Sequence, residues 1–352
     1  DINTQEAWDT TTGSSDVIVA VLDSGITPHS EFSGRLMDGV GYYGDTTDKG
    51  KVDIESSSGG HGTQVAGIIG AQGNNAQGLA GICWGCKLMP FRVLNTNGNG
   101  NTLILSYGIT DAVSMGADVI NMSVGYPTGG TGALNSAVQN AFAAGVVMIA
   151  SRGNYNFSSP DFSSNTAAVY PAHFPEVISV GALSPCDERK SSSSCDGESW
   201  WESMYGDTLS VLAPGAKVDT TSKTGGYTTN FNGTSAAAPH VSGVAALMLS
   251  VNPALTPTQI RQILESTAVD LSSAGYDSQT GYGKVDAQAA VLAAQALLPV
   301  VESDLALSFT SPVVSSVTAG DSLSYQLTVT NPSSNAVTFT MKMTRPAIAH
   351  TP

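Results

Sequence analysis

Acyl transfer needs a nucleophile, a base to take its proton, an acid to orient the base, and donors for the oxyanion that forms. Three short segments of this chain hold residues of those types. In VIVAVLDSGI, Asp23 ends a run of strand character. In GGHGTQVAGIIG, His61 opens a helix-like segment, with Gly59, Gly60 and Gly62 leaving space around it. In NGTSAAAPHVSG, Ser235 stands at the start of another helix-like segment, shortly after Gly233. A hydroxyl at a helix start is exposed, and its backbone N–H is free to face developing negative charge. Taken singly, Asp23 also reads as a strand-end cap and His61 as a helix N-cap. Neither reading explains why the three segments occur together.

The surrounding pattern says what must position them. VIVAVL (17–22), KLMPFRVL (87–94), DVINMSV (118–124), VVMIA (146–150), VISVGA (177–182) and LSVLA (209–213) are rich in Val and Ile and lack polar alternation. Such runs are parallel strands covered on both faces. Between them, TQVAGIIGA, TLILSYGITDAVSMG, GALNSAVQNAFAAG and SAAAPHVSGVAALMLSV show apolar spacing of three and four, as helices do. The expected fold class is therefore α/β, a mostly parallel sheet with helices on both faces. Open parallel sheets bind ligands beyond the carboxyl ends of their strands, where Asp23 falls.

A helix at 286–298 closes this unit and Pro299 stops it, giving a first domain over 1–298 and a linker over 299–303. From 304 to 352 the character changes to LALSF, SLSYQLTVT and AVTFTMKM, separated by TAGD and NPSSN, an antiparallel pattern. Three or four strands are too few to bury a sandwich core alone. The segment reads as the start of a β-sandwich domain, or as an extra sheet edge on the first domain.

The chain carries 14 basic and 29 acidic side chains, a net charge of −15. That field repels phosphate backbones and anionic lipid, which argues against nucleic acid and membrane surfaces as partners. No run approaches the ~18–20 uninterrupted apolar residues of a membrane span. The first residue is Asp1, with no Met and no basic-then-apolar leader, as in a mature product whose targeting segment has been removed. Of the four cysteines, Cys83 and Cys86 form a C-W-G-C that could be a redox motif or half a zinc site. Cys186 and Cys195 do not complete a usual zinc pattern. Two short-loop disulfides, 83–86 and 186–195, are the preferred reading, and they point to export.

In order and context, the segments around Asp23, His61 and Ser235 resemble the three signature motifs of the subtilisin-like serine protease (subtilase) family. The likeness runs from about Asp16 to Leu298 and includes SRGNYN and GYGKVDAQAAV. It implies a secreted serine endopeptidase, made as a zymogen whose own propeptide is removed, monomeric, with protein and peptide substrates. Asp23, His61 and Ser235 would form its triad, and Asn154 its side-chain oxyanion donor; loss of such a donor typically costs ~10²–10³ in kcat. Outside the family reading, Asn154 is a turn residue after Gly153.

The resemblance also implies a substrate cleft. Segments like Ser123-Val124-Gly125 and Asn99-Gly100-Asn101 would pair with the peptide backbone by β-augmentation. Gly153 and Tyr155 would border the S1 pocket, with Phe231 on the leaving-group side. Val169 stands where Gly is common, which would make S1 shallow, and Thr102 where an aromatic is common, which would leave S4 open. Any of these apolar residues could instead pack the core.

Three departures stand out. Ala236 replaces the usual Met after the nucleophile, removing one route to oxidative inactivation. Arg152 replaces a small residue, and its side chain must escape outward or pair with an acid. Gln64 replaces a common His. The family also implies a structural Ca²⁺ in QGNNAQG (72–78), with Glu31, Asn74 and Asn75 as candidate ligands; Asp45, Asp48 and Asp53 form either a second ion site or a solvated loop. No catalytic cofactor is expected, since no GxGxxG follows a strand and no P-loop occurs. An esterase or lipase would use the same chemistry, but the G-x-S-x-G elbow is missing. A binding role would belong to the C-terminal β segment. Activity is expected to fall on acidification with a midpoint near ~6–7, where His usually titrates.

Overall fold

The apolar runs fold as parallel strands buried on both faces. In chain order the elements are α1 (Thr4–Trp8), β1 (Ile18–Asp23), β2 (Val40–Gly41), α2 (His61–Gly70), β3 (Lys87–Arg92), α3 (Thr102–Ser114), β4 (Val119–Met122) and α4 (Ala133–Ala143). There follow β5 (Val147–Ser151), β6 (Asn154–Asn156), β7 (Val177–Leu183), β8 (Trp201–Ser203), β9 (Val211–Pro214), β10 (Val218–Thr221), β11 (Tyr227–Phe231), α5 (Thr234–Val251), α6 (Pro257–Ser266) and α7 (Ala287–Ala296). The computed structural model describes residues 2–129, 132–158 and 161–298, and the backbone of 306–310 and 326–330.

Seven strands form one sheet in the order β2-β3-β1-β4-β5-β7-β9, with every neighbouring pair parallel. The pleat sends alternate residues of β1 to opposite faces. Val19 and Val21 join the core that α2, α5 and α7 cover, whereas Ala20 and Leu22 join the core under α3 and α4. The chain builds β3 on one side of β1 and β4 on the other, so the carboxyl end of β1 is a topological switch point. Asp23 is the last residue of that strand.

Helix α5 packs against β4, β5, β7 and β9. It is long and apolar enough to cross a bilayer by composition alone, but 78% of it is buried in the fold, as suits a core helix. Two small antiparallel sheets, β6–β8 and β10–β11, lie outside the main sheet; the sequence reading did not include them. Nor did it include α6, although its start carries a local signal. Thr256 and Gln259 form a reciprocal capping box, and Pro257 sits in the first turn.

By its internal contacts the chain divides into two units, Asp1–Leu298 and Pro299–Pro352. In the second, β12 (Ala306–Thr310) pairs antiparallel with β13 (Gln326–Thr330). The expected linker at 299–303 and the rest of 304–352 lie outside the described residues.

Candidate active site

Asp23 and His61 meet at the carboxyl edge of the sheet. The carboxylate is fully buried, and its Oδ1 lies 2.8 Å from His61 Nδ1. The same oxygen accepts the Ser24 N–H at 2.7 Å. His61 is the first residue of α2, after Gly60 at φ 72, a residue with no side chain to cap the helix. Glu55 supplies the missing cap by accepting the His61 N–H at 2.8 Å, an anion at the positive end of the helix. The imidazole is 23% exposed and stacks edge-on against Phe231 at 5.4 Å. Burial works against its charged form, but the charge and hydrogen bond of Asp23, with Glu55 and Asp53 behind it, outweigh this and hold the ring raised to about 9. The surrounding carboxylates thus favour the protonated ring above the ordinary histidine range. Two of the carboxylates responsible reach the ring from a loop that the motifs do not include.

Ser235 lies in the first turn of α5, as expected. Its Oγ donates to the Ser123 carbonyl at 3.3 Å, and Ser123 Oγ donates to the Ser235 carbonyl at 3.0 Å. These bonds seat the hydroxyl against the Ser123–Gly125 segment. Asn154 opens β6, and its Oδ1 accepts from Thr234 N at 2.9 Å and Thr234 Oγ1 at 3.1 Å. Two donors on Oδ1 fix the amide orientation, so Nδ2 faces the other way. A Cβ built on Gly233 would lie 3.0 Å from Asn154 Nδ2 and 3.5 Å from Ser235 N. Asn154 Nδ2 and Ser235 N thus both border a space that exists because residue 233 is glycine. Thr234 is an organising residue that the sequence reading missed: its hydroxyl also accepts the Gly153 N–H at 3.1 Å. Its place between Gly233 and Ser235 was the available signal.

A cleft of about 480 Å³ is lined by His61, Asn99, Gly100, Ser123, Val124 and Gly125, among others. Residues 99–101 and 123–125 belong to no strand ladder, which leaves room for a peptide to pair alongside them. Asn101 has another task as the N-cap of α3, accepting the Ile104 N–H at 2.9 Å, and Thr102 is the first residue of that helix. Val169 is fully buried with Phe162 and Met204, and Tyr155 packs on this cluster. Val169 Cγ1 lies 2.7 Å from the position of a Cβ on Gly125, and Cγ2 lies 3.0 Å from that of a Cβ on Gly153. Its side chain fills the space between those two glycines.

Arg152 turns inward. It neither escapes to solvent nor forms an ion pair among the described residues. Nη1 donates to Ala167 O at 2.9 Å and Nη2 to Tyr205 O at 2.5 Å. Burial lowers its pKa to about 10 against the attraction of Asp207, still well above neutrality. The guanidinium pins the segment that carries Val169.

Cys83 pairs with Cys86 and Cys186 with Cys195. The acidic cluster considered for a second ion does not form. Asp48 pairs with Arg92 at 2.6 Å, Asp45 caps Thr47, and Asp53 turns into the protein. The candidate calcium ligands also fit a cation poorly. Glu31 is fully buried, with Oε1 accepting from Tyr227 Oη at 2.6 Å and Oε2 from Asn75 Nδ2 at 2.8 Å. Asn75 Oδ1 meanwhile accepts the Gln77 N–H at 3.1 Å, so its amide orientation is fixed at both ends. Asn74 is exposed, in the left-handed region at φ 57. A Ca²⁺ site needs 6–8 inward oxygens; here two donors close on a single carboxylate.

A parallel sheet that brings a buried carboxylate and an imidazole together at its switch point, under a helix starting Gly-Thr-Ser, is the subtilisin-like α/β fold. The chain belongs to the subtilase family, whose profile matches residues 14–283. It is 40% identical over 277 residues to a subtilisin of Bacillus pumilus, covering 78% of this chain and 91% of that one. It is 39% identical to subtilisin E of Bacillus subtilis, covering 78% of this chain and 66% of that one. Among solved structures, a protease from Pseudoalteromonas arctica superposes with a TM-score of 0.68 at 30% identity, over 83% of this chain and 94% of that one.

Proposed function

We propose that this chain is an extracellular serine endopeptidase that cleaves peptide bonds through an acyl-enzyme, with Asp23, His61 and Ser235 as its triad. The observation that carries this reading is that Asn154 Nδ2 and the N–H of Ser235, the proposed nucleophile, both border the space at Gly233. A substrate peptide lies extended between residues 99–101 and 123–125. Asp23 holds His61 Nδ1, which leaves Nε2 to act as the base. Ser235 Oγ swings from the Ser123 carbonyl, passes its proton to Nε2 and attacks the scissile carbonyl. The oxyanion enters the space at Gly233 and takes both donors. His61 then protonates the leaving amine, and water hydrolyses the ester. None of these steps calls for a cofactor. The same reading includes secretion, a removable propeptide and a monomer, as the family resemblance implies.

The test is covalent labelling. A serine-directed phosphonate is expected to modify Ser235, and Ser235→Ala to lose both labelling and proteolysis while keeping the fold by circular dichroism. Substantial labelling or proteolysis by that variant would sink the assignment.

A further inference from the structure

Behind the candidate triad lies a second buried carboxylate, for which acyl transfer has no direct use. Asp53 is 4% exposed and belongs to the connection between β2 and α2. Four donors converge on it. Oδ1 accepts from Ser24 Oγ at 2.8 Å and Glu55 N at 3.2 Å. Oδ2 accepts from Thr63 N and Thr63 Oγ1, each at 2.9 Å. Its own N–H donates to Thr27 Oγ1 at 3.1 Å. The chain passes tightly over it, since a Cβ on Gly60 would lie 2.6 Å from Oδ2.

The donors belong to the carriers of two other groups. Ser24 follows Asp23; its Oγ lies 3.2 Å from Asp23 Oδ1 and accepts the Gly62 N–H at 2.9 Å. Thr63 lies in the first turn of α2, which His61 opens. The sheet fixes β1 and packing against α5 fixes α2. Asp53 directly joins the end of one to the start of the other. A carboxylate accepts at both oxygens; a carboxamide would turn an N–H₂ toward Ser24 or Thr63.

We infer that Asp53 is a positioning residue for the reaction, holding Asp23 and His61 in register through Ser24 and Thr63. This rests on the triad proposed above. The charged groups facing the node are Asp23 and His61 on the cleft side, Glu55 on its own loop, and Lys223 between β10 and β11. Lys223 Nζ donates to the Glu55 carbonyl, and its Cδ lies 2.7 Å from the position of a Cβ on Gly60.

The experiment measures kcat and KM across pH on a peptide substrate, normalised to sites titrated with the phosphonate. A misplacement of about 1 Å costs ~10²-fold. Asp53→Asn is therefore expected to lower kcat ~10–100-fold with KM within about twofold. It is also expected to move the acid limb to lower pH, because a negative charge near the imidazolium is lost. Ser24→Ala removes the hydroxyl shared by Asp53, Asp23 and the Gly62 N–H and leaves the Asp53 charge in place; it is expected to lower kcat about tenfold at unchanged KM, and it decides the matter if Asp53→Asn does not fold. Wild-type kcat in either variant overturns the inference. So does a kcat loss in Asp53→Asn with the acid limb unmoved, which is what mere structural support would give. Failure of the triad reading looks different, since the wild-type protein would then not be labelled at Ser235.

Discussion

Replacing Val169 with Gly is expected to change which side chain the enzyme accepts at P1. Val169 is fully buried and occupies the gap between Gly125 and Gly153, the two backbones that border the proposed S1 pocket. In the wild-type protein a large aromatic P1 ring must displace it, and overfilling a packed site costs ~1–3 kcal/mol. Leu, Met or Ala at P1 is therefore expected to be cleaved better than Tyr or Trp. Val169→Gly deletes three buried carbons, about 2–2.5 kcal/mol of transfer free energy at ~0.8 per carbon, rising to ~3–4 with the cavity left behind. An aromatic ring entering that cavity regains much of the lost contact. The ratio of kcat/KM for Phe over Leu is thus expected to rise ~10–100-fold, with Val169→Ala in between. Arg152 makes the test clean, because its hydrogen bonds to the Ala167 and Tyr205 carbonyls hold the segment against a shift that would carry Val169 aside. The assay is a P1 series on one peptide scaffold, run well below the melting temperature and normalised by active-site titration. A wild-type preference for Phe or Tyr over Leu, left unchanged by Val169→Gly, would refute the reasoning.

Four further outcomes are expected. The proposed mechanism needs neutral His61, whose pKa is raised to about 9, so kcat/KM is expected to rise with pH through that region; an acid limb at or below ~6.5 would show that the carboxylates around the ring do not dominate. By the same shift, the stabilisation from the His61–Asp23 pair is complete below ~6.5 and is lost as pH rises through about 9, which a series of melting curves reads directly. At Glu31, excess EDTA is expected to leave Tm unchanged, whereas Tyr227→Phe strips a donor from a buried carboxylate at a cost of ~1–3 kcal/mol and lowers Tm. A fall in Tm on chelation would show that the native state holds a stabilising cation, against this expectation.

The chemistry-bearing residues were legible because each sits in a contiguous motif whose local structure follows from its own residues. Asp23 ends a Val-rich strand, and His61 and Ser235 open helices behind glycines. The parallel sheet was legible for a similar reason, since strands covered on both faces are apolar throughout. What the sequence did not yield are contacts made across long stretches of chain. Arg152 reaches carbonyls on two separate loops, and nothing in SRGNYN says whether it turns in or out. Asp53 looked like one of three loop acids until the fold put it under Ser24 and Thr63. Tyr227 on β11 meets Glu31 across 196 residues, a distance that no local pattern spans. The short β6–β8 and β10–β11 ladders were missed because strands of three to five residues leave too little periodicity to read.

Gly233 is constrained twice by one missing atom. Its φ of +113 lies where residues with a side chain are strained, and the Cβ it lacks would stand between Asn154 Nδ2 and Ser235 N. The two constraints have different remedies. A compensating change elsewhere could relax the backbone and restore stability, yet the added methyl group would still occupy the place proposed for the oxyanion, like a ligand that never leaves. Selection for folding and selection for turnover therefore act on this position separately, and a library screened for stability alone would admit variants that a screen for turnover discards.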